Sequence, residues 1–332
     1  MSNFKSSKNK DFIRSNWGKP LLDFIYTNIN CKLVYMGLPS PNAEDIKEWI
    51  DYLSKVIAFQ CRDYPKPSDP ATQSKEAVHK LEKMLLDFQR MKKIESFAVY
   101  DGYIEEVILN RRDLSLIEFN QDETVMVYNL DFCNEIDSPL DYMDKNGEPK
   151  KAYKFQVIKE ILQLQKSIED SSQKFIMFLT IRAKFEDEDI SEFIKNTNNE
   201  TIKQLIKNYS NISGIDKKAR ILRIYIIETL RNFFQHYEYI PRFLPTIQYK
   251  GTGNANILHF TVIGTRTEPT AGGTVYWHQD LKTLCGQKFI TVKNEAFIRI
   301  TKNELDETEC TLNPIRSFRD KKEFKDYWQK AE

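Results

Sequence analysis

An α/β fold with a mostly parallel sheet is what this sequence predicts, on three observations. Short apolar runs recur five times, at Leu33–Met36, Val56–Gln60, Phe97–Tyr100, Thr124–Tyr128 and Lys174–Ile181. Helically spaced apolar residues fill most of the gaps, and strands that alternate with helices make parallel pairs joined by crossovers. After the fifth run, Thr246–Tyr249 and Ile257–Ile263 flank a Gly/Asn-rich turn, the pattern of an antiparallel hairpin.

The elements follow in order. The first thirty residues read as a polar tail leading into a short helix or extended segment, with Trp17 and Phe24 as anchors. Strand Leu33–Met36 runs into Gly37-Leu38-Pro39-Ser40-Pro41, then a helix over Ala43–Ser54 with Ile46, Trp49, Ile50 and Leu53 on one face. Asn42 is the expected N-cap. Strand Val56–Gln60 ends at Cys61-Arg62-Asp63, and Pro65, Pro67 and Pro70 then forbid regular structure. Helix Ser74–Lys93 and strand Phe97–Tyr100 lead to Asp101-Gly102. Ile104–Leu109 and Leu116–Phe119 are ambiguous by period. Strand Thr124–Tyr128 ends at Asn129-Leu130-Asp131-Phe132-Cys133-Asn134, and a polar loop at Asp144–Gly147 precedes helix Phe155–Ile168. Strand Lys174–Ile181 ends at Arg182. Helices over Ile190–Tyr209 and Lys218–Tyr239 follow, the second apolar almost all round and so expected to be buried. After the hairpin, Ala296–Thr301 reads as a further strand. The expected division is an extension over 1–30, a main domain over 31–266 and a C-terminal elaboration over 267–332.

Composition narrows the function classes. The 332 residues are 41% apolar and 12% aromatic, enough for a substantial core. Lys and Arg number 49 against 48 Asp and Glu, so the chain is no generic polyanion binder, although a local basic patch stays open. No apolar run reaches the ~20 residues that span a bilayer, and the first residues show no secretory signal. Five separated cysteines without a C-x-x-C pair argue against a disulfide framework and a zinc ribbon, and a reducing cytoplasm is the expected compartment. Four histidines show no metal-ligand spacing, and there is neither a G-x-S-x-G nor a Walker loop.

In open α/β sheets, ligands sit at the carboxyl ends of the strands. Five such ends carry polar groups here. Gly37 allows close backbone approach to a ligand, while Pro39 and Pro41 remove two N–H donors, so the loop is either a cofactor loop or a rigid turn. Asp63 is placed to bond ribose hydroxyls, or is a solvated loop acid. Asp101-Gly102 is a ligand contact or a plain Asp-Gly turn. Asn129, Asp131 and Asn134 cluster at one strand end, where unsatisfied polar groups are costly, and Asp131 suits a general base or a metal ligand. Arg182 binds an anion or pairs with Glu186 or Asp187. Scattered Lys-rich segments such as Lys145–Lys154 could add phosphate contacts, but the acidic run Glu186–Asp189 opposes a continuous basic face.

Element order and motif placement over Leu33 to Thr265 resemble the class I S-adenosylmethionine-dependent methyltransferase fold, a Rossmann-like parallel sheet closed by an antiparallel pair at one edge. That class shows G-x-G in the first loop, where this chain has Gly37-Leu38-Pro39-Ser40-Pro41. Its amino-group members place Asn/Asp-Pro-Pro-Tyr/Phe after the fourth strand, where Asn129 and Phe132 match the ends and Leu130 and Asp131 replace the prolines. The resemblance implies S-adenosylmethionine held by Gly37, Ser40, Asp63 and Asp101, an acid after the third strand often contacting the adenine amino group. It implies Asn129, Asp131 and Phe132 orienting the amine of a nucleic acid or nucleotide. The departures from both motifs imply instead a catalytically silent methyltransferase-like protein that binds or senses a partner encoded nearby. Some such proteins lie beside anti-phage defence genes. A nucleotide hydrolase using Asp131 with a metal is the third expectation.

Overall fold

The computed structural model describes residues 7–62, 74–132, 134–169, 173–184, 192–193, 195–208, 215–267, 279–286, 289–300 and 307–309. Helices α1 (Lys8–Ile13) and α2 (Lys19–Ile29), joined by a π-helical turn at Arg14–Gly18, precede strand β1 (Leu33–Gly37). Then come α3 (Glu44–Trp49), β2 (Leu53–Gln60), α4 (Glu76–Arg90), β3 (Ser96–Asp101) and α5 (Ile104–Asn110). Strand β4 (Val127–Asp131) is followed by a small hairpin, β5 (Leu140–Met143) and β6 (Pro149–Ala152), and by α6 (Lys154–Ser167). Strand β7 (Lys174–Arg182) leads through α7 (Glu200–Asn208) and α8 (Ile215–His236) to β8 (Tyr239–Phe243), β9 (Ile247–Lys250) and β10 (Asn256–Arg266). A short helix α9 (Leu281–Gly286) precedes β11 (Ile290–Lys293), β12 (Ala296–Ile300) and β13 (Glu307–Glu309).

Strands β3, β2, β1, β4 and β7 lie side by side in that order and all run parallel. The antiparallel β10 comes next, with β8 and β9 both paired along its other side. This is the predicted Rossmann-like, methyltransferase-type arrangement, parallel with an antiparallel hairpin at one edge. Strands β11, β12 and β13 carry the same sheet onward from β9. Strand order reverses between β1 and β4, so a crevice opens at their carboxyl ends, where ligands of such sheets sit.

Both faces of the sheet are covered. One carries α5, α6 and α8, packed around Met36, Tyr128, Leu130 and Leu179. The other carries the N-terminal helices with α3 and α4, packed around Tyr35, Val56, Val127 and Phe178. Trp17 is fully buried there, and Phe24 packs against the same cluster half-buried. Along α8, Ile221, Leu222, Ile224, Ile226, Ile227, Leu230 and Phe234 are buried, as its all-round apolar pattern requires.

Several elements differ from expectation. Residues 7–30 hold two packed helices rather than one short segment. The helix expected over Ala43–Ser54 spans only Glu44–Trp49 and one tighter turn at Ile50–Tyr52. Leu53 is claimed by the ladder between β1 and β2, where it pairs with Leu33. Ala43, at φ 48°, takes the N-cap position in place of Asn42, whose side chain accepts from Lys80 Nζ at 2.6 Å. Ile104–Leu109 is helical, the polar loop after β4 is a hairpin turning at Asp144–Gly147, and β8 went unread because Pro241 interrupts its pattern.

Candidate functional site

The loop after β1 is built against β4. A side chain at Gly37 would place its Cβ 2.6 Å from both the Asn129 carbonyl oxygen and the Tyr35 hydroxyl. Leu38 N–H donates to that carbonyl at 3.0 Å. Glycine is therefore required here by the chain's own packing, not by a ligand. Three residues on, Ser40 O accepts from Ala43 N–H at 2.7 Å, closing the loop. Ser40 Oγ is buried and has no hydrogen-bond partner among the described residues.

Beneath this loop lies a polar cluster that motif matching does not find. Asp45, in the first turn of α3 and only 2% exposed, accepts through Oδ2 from both the Tyr35 hydroxyl and Asn129 Nδ2. Burial, and then the Asp45 charge, push the Tyr35 phenol well above its ordinary range. Asp45 Oδ1 is buried without a partner among the described residues. A signal was present: Asp45 stands four residues before Trp49 and one before Ile46, on the apolar face of α3. A carboxylate can only accept, so Asp45 fixes which end of the Asn129 amide faces it. Among the described residues, Asn129 Oδ1 has no donor and can accept from something else.

Strand alternation sends Asn129 and Asp131 to one face of β4 and the residues between and after them to the other. Asp131 pairs with Lys10 of α1. Phe132 lies in the opposite core, 5% exposed, with Lys154 Nζ 5.8 Å from its ring centroid. Asn129 and Phe132 thus do not face a common ligand as the motif would have them. Cys133 lies outside the described residues.

A cavity of about 30 Å³ opens beside Asn129 and Asp131, walled by Lys10, Thr180, Tyr249 and His259. Its size suits water rather than a substrate. His259 Nδ1 is 2.9 Å from Thr180 Oγ1, while Nε2 is buried with no partner among the described residues. Burial pushes the His259 imidazole down from 6.5 to about 4, with Asp131 opposing and Lys10 assisting. The unfolded chain binds this proton near 6.5 and the folded chain only near 4, so stability is full above 6.5 and falls as pH drops to 4. That loss amounts to about 3 kcal/mol. Urea unfolding at pH 7.5 and 4.5 checks it: His259→Phe should lose measurably less stability on acidification than the parent, and an equal loss would contradict the assignment.

At the ends of β2 and β3 the polar groups are spoken for. Arg62 Nε and Nη2 donate to Asp101 at 2.9 and 2.7 Å, and Ser115 Oγ donates at 2.8 Å. Lys75 Nζ lies 3.1 Å away. Burial would raise the Asp101 carboxyl, but these partners outweigh it and hold the carboxyl below the usual range. Burial, then the charge of Asp101, push Glu106 up to about 7. Gly102 at φ 142° makes the turn out of β3, its N–H donating to Gln60 O at 3.0 Å. Asp63 lies outside the described residues, as do Glu186 and Asp187, the expected partners of the exposed Arg182. Among the described residues, no group of three or more metal-ligating side chains occurs, and no helix is long and apolar enough to cross a membrane.

No family model and no curated protein matches the chain. Solved structures do resemble it in fold. The O-methyltransferase of Bacillus cereus, in complex with S-adenosylhomocysteine, is 10% identical with a TM-score of 0.34, covering 80% of this chain and 94% of its own. A candidate RNA methyltransferase of Pyrococcus horikoshii is 12% identical with a TM-score of 0.36, covering 74% of this chain and 80% of its own. A candidate O-methyltransferase of Klebsiella pneumoniae is 9% identical with a TM-score of 0.34, covering 80% and 84%. The fold assignment rests on strand order, and the chemistry below on this chain's own side chains.

Proposed function

We propose that this chain is an S-adenosylmethionine-dependent methyltransferase acting on the amine of a nucleic acid or nucleotide. One observation carries the reading. The Asn129 amide, at the end of β4, is locked by Asp45 and Tyr35 with its Oδ1 lacking a donor among the described residues. An acceptor held in that way orients an amine N–H and with it the nitrogen lone pair. Asp131 stands beside it on the same face.

The cofactor fits in part. The orphaned Ser40 hydroxyl offers a buried hydrogen-bonding group in the β1 loop, and Asp101 offers a carboxylate at the β3 end once exchanged from Arg62. Gly37 shapes the loop rather than the contact, and Asp63, outside the described residues, is assigned the remaining cofactor contact on its sequence position alone. When bound, S-adenosylmethionine supplies a methyl group already activated on a sulfonium, so the protein's share is binding and alignment. Phe132 supports the β4 end from the core.

Ser40 gives the test two opposite signs. Ser40→Ala removes a buried unsatisfied hydroxyl, which should leave the protein as stable or raise its stability by about 1 kcal/mol. The same change should weaken S-adenosylhomocysteine binding several-fold. Asn129→Ala should abolish methyl transfer to nucleic acid with little loss of cofactor binding. Normal transfer by Asn129→Ala, or unchanged binding by Ser40→Ala, would remove the residues from these roles.

A second reading is a catalytically silent protein that binds a partner. It is favoured by the acids at the strand ends being closed by the chain's own cations, Asp101 by Arg62 and Lys75 and Asp131 by Lys10. It predicts no response to either cofactor form and co-purification with a partner protein.

A further inference from the structure

The hairpin β5–β6 and the end of α5 enclose an open groove of about 640 Å³, far larger than the cavity beside Asn129. Five cations line it, Arg111, Arg112, Lys145, Lys150 and Lys151, against the acids Glu118 and Asp144. Asp144 caps its own turn, its Oδ1 accepting from Asn146 and Glu148 N–H at 2.8 and 2.9 Å. Arg111 is offset by Glu160 and Lys150 by Glu148, but Lys145 and Lys151 are exposed with no ion pair among the described residues. The groove therefore keeps a positive surplus on a chain whose net charge is only +1.

Exposed Leu116 and Ile117 lie between Arg112 and Glu118 in the chain, and Tyr142 lines the groove itself. The geometry is fixed, not loose: Asn110 Nδ2 and Arg112 Nη2 hold the hairpin by donating to Met143 O and Lys145 O at 2.9 and 3.0 Å. The 112–118 loop is tied down by the Arg112–Glu118 bridge and by Asp113, whose Oδ1 accepts from Ser115 and Ile117 N–H.

We propose that this groove binds single-stranded nucleic acid. Cations that track a phosphate backbone beside an aromatic ring, here Tyr142, are the two components of sequence-tolerant single-strand binding. A duplex would use the cations but leave the Tyr142 ring without a base to stack on. α5 packs on the face of the sheet opposite the one to which Asn129 turns, so the groove is a binding surface separate from the Asn129 cluster. A base amine must be unpaired to reach a pocket, which is the same requirement. The assignment of the strand as substrate rests on the methyl-transfer reading; its binding does not, and is measured without cofactor.

Fluorescence anisotropy with labelled single-stranded RNA and DNA of mixed sequence, and with the matching duplex, tests this over a salt series on the full chain. Single strands should bind more tightly than duplex, with affinity falling as salt rises. Lys145→Ala with Lys151→Ala, both fully solvated positions, should weaken binding roughly tenfold and reduce the salt slope by about 0.7 for each phosphate no longer neutralised. Tyr142→Ala should weaken binding several-fold with the slope unchanged. The proposal is overturned if the folded protein binds no single strand at low salt, if duplex binds better, if the lysine variant binds as the parent does, or if poly-glutamate competes as well as nucleic acid. Binding that persists while the protein ignores S-adenosylhomocysteine would uphold the groove and refute the methyl-transfer reading separately.

Discussion

Trp17→Ala should lower the unfolding free energy by about 3–5 kcal/mol, among the largest losses available to a single substitution here. The indole is fully buried, and its Nε1–H donates to Thr261 Oγ1 of β10 at 2.9 Å. Phe297 of β12 stands with its ring centroid 6.2 Å away. One side chain from the π-helical turn between α1 and α2 thus joins the antiparallel edge of the sheet to the N-terminal helices. Trp17→Phe keeps most of the volume and loses the hydrogen bond, so it should cost roughly 1–2 kcal/mol. Urea unfolding checks both, with the midpoint falling and the slope unchanged. A loss below about 1 kcal/mol for Trp17→Ala would mean that the N-terminal helices are only lightly attached.

Asp101→Ala should cost about 3–5 kcal/mol, because it removes the nearly buried carboxylate that accepts from Arg62 and Ser115 and pairs with Lys75. The two side chains are only 9% and 4% exposed. Replacing both by leucine should recover much of the loss, since desolvating the pair offsets most of its attraction. The sign with pH follows from the depressed carboxyl. Asp101 stabilises the fold above its ordinary value near 3.8, and that contribution is lost as pH falls further. A double-variant loss equal to the sum of the two single-variant losses would show that Asp101 and Arg62 are not coupled. The same pair bears on function, because a cofactor that uses Asp101 must displace Arg62, and binding should therefore strengthen in Arg62→Leu relative to Asp101→Leu.

Most of the sheet was legible in the sequence for a simple reason. Fully buried parallel strands read as apolar runs, and Lys174–Ile181 and Leu33–Met36 are such runs. Strand β8 was not legible because Pro241 and Arg242 break its pattern, and its place is decided by pairing with Pro241 opposite Gly264. The helix α3 was overread because Leu53 fits both a helical face and the ladder, and only the ladder partner Leu33 decides. At the site, the strand-end rule located Asp101, Asn129 and Asp131. It could not foresee their partners: Lys10 lies 121 residues from Asp131, and Arg62 lies 39 from Asp101. Phe132 shows the limit of motif matching, because a four-residue pattern ignores which face of the strand each residue takes. Asp45, the group that fixes Asn129, belongs to no motif and is visible only as a charge on an apolar face.

Calorimetric titration of the folded parent protein with S-adenosylhomocysteine, repeated with S-adenosylmethionine, tests the central claim most directly. The account predicts saturable micromolar binding of both, weakened in Ser40→Ala. No heat and no thermal stabilisation by either compound, with circular dichroism showing the protein folded, would contradict it and leave the strand-end cluster a structural element of a partner-binding protein.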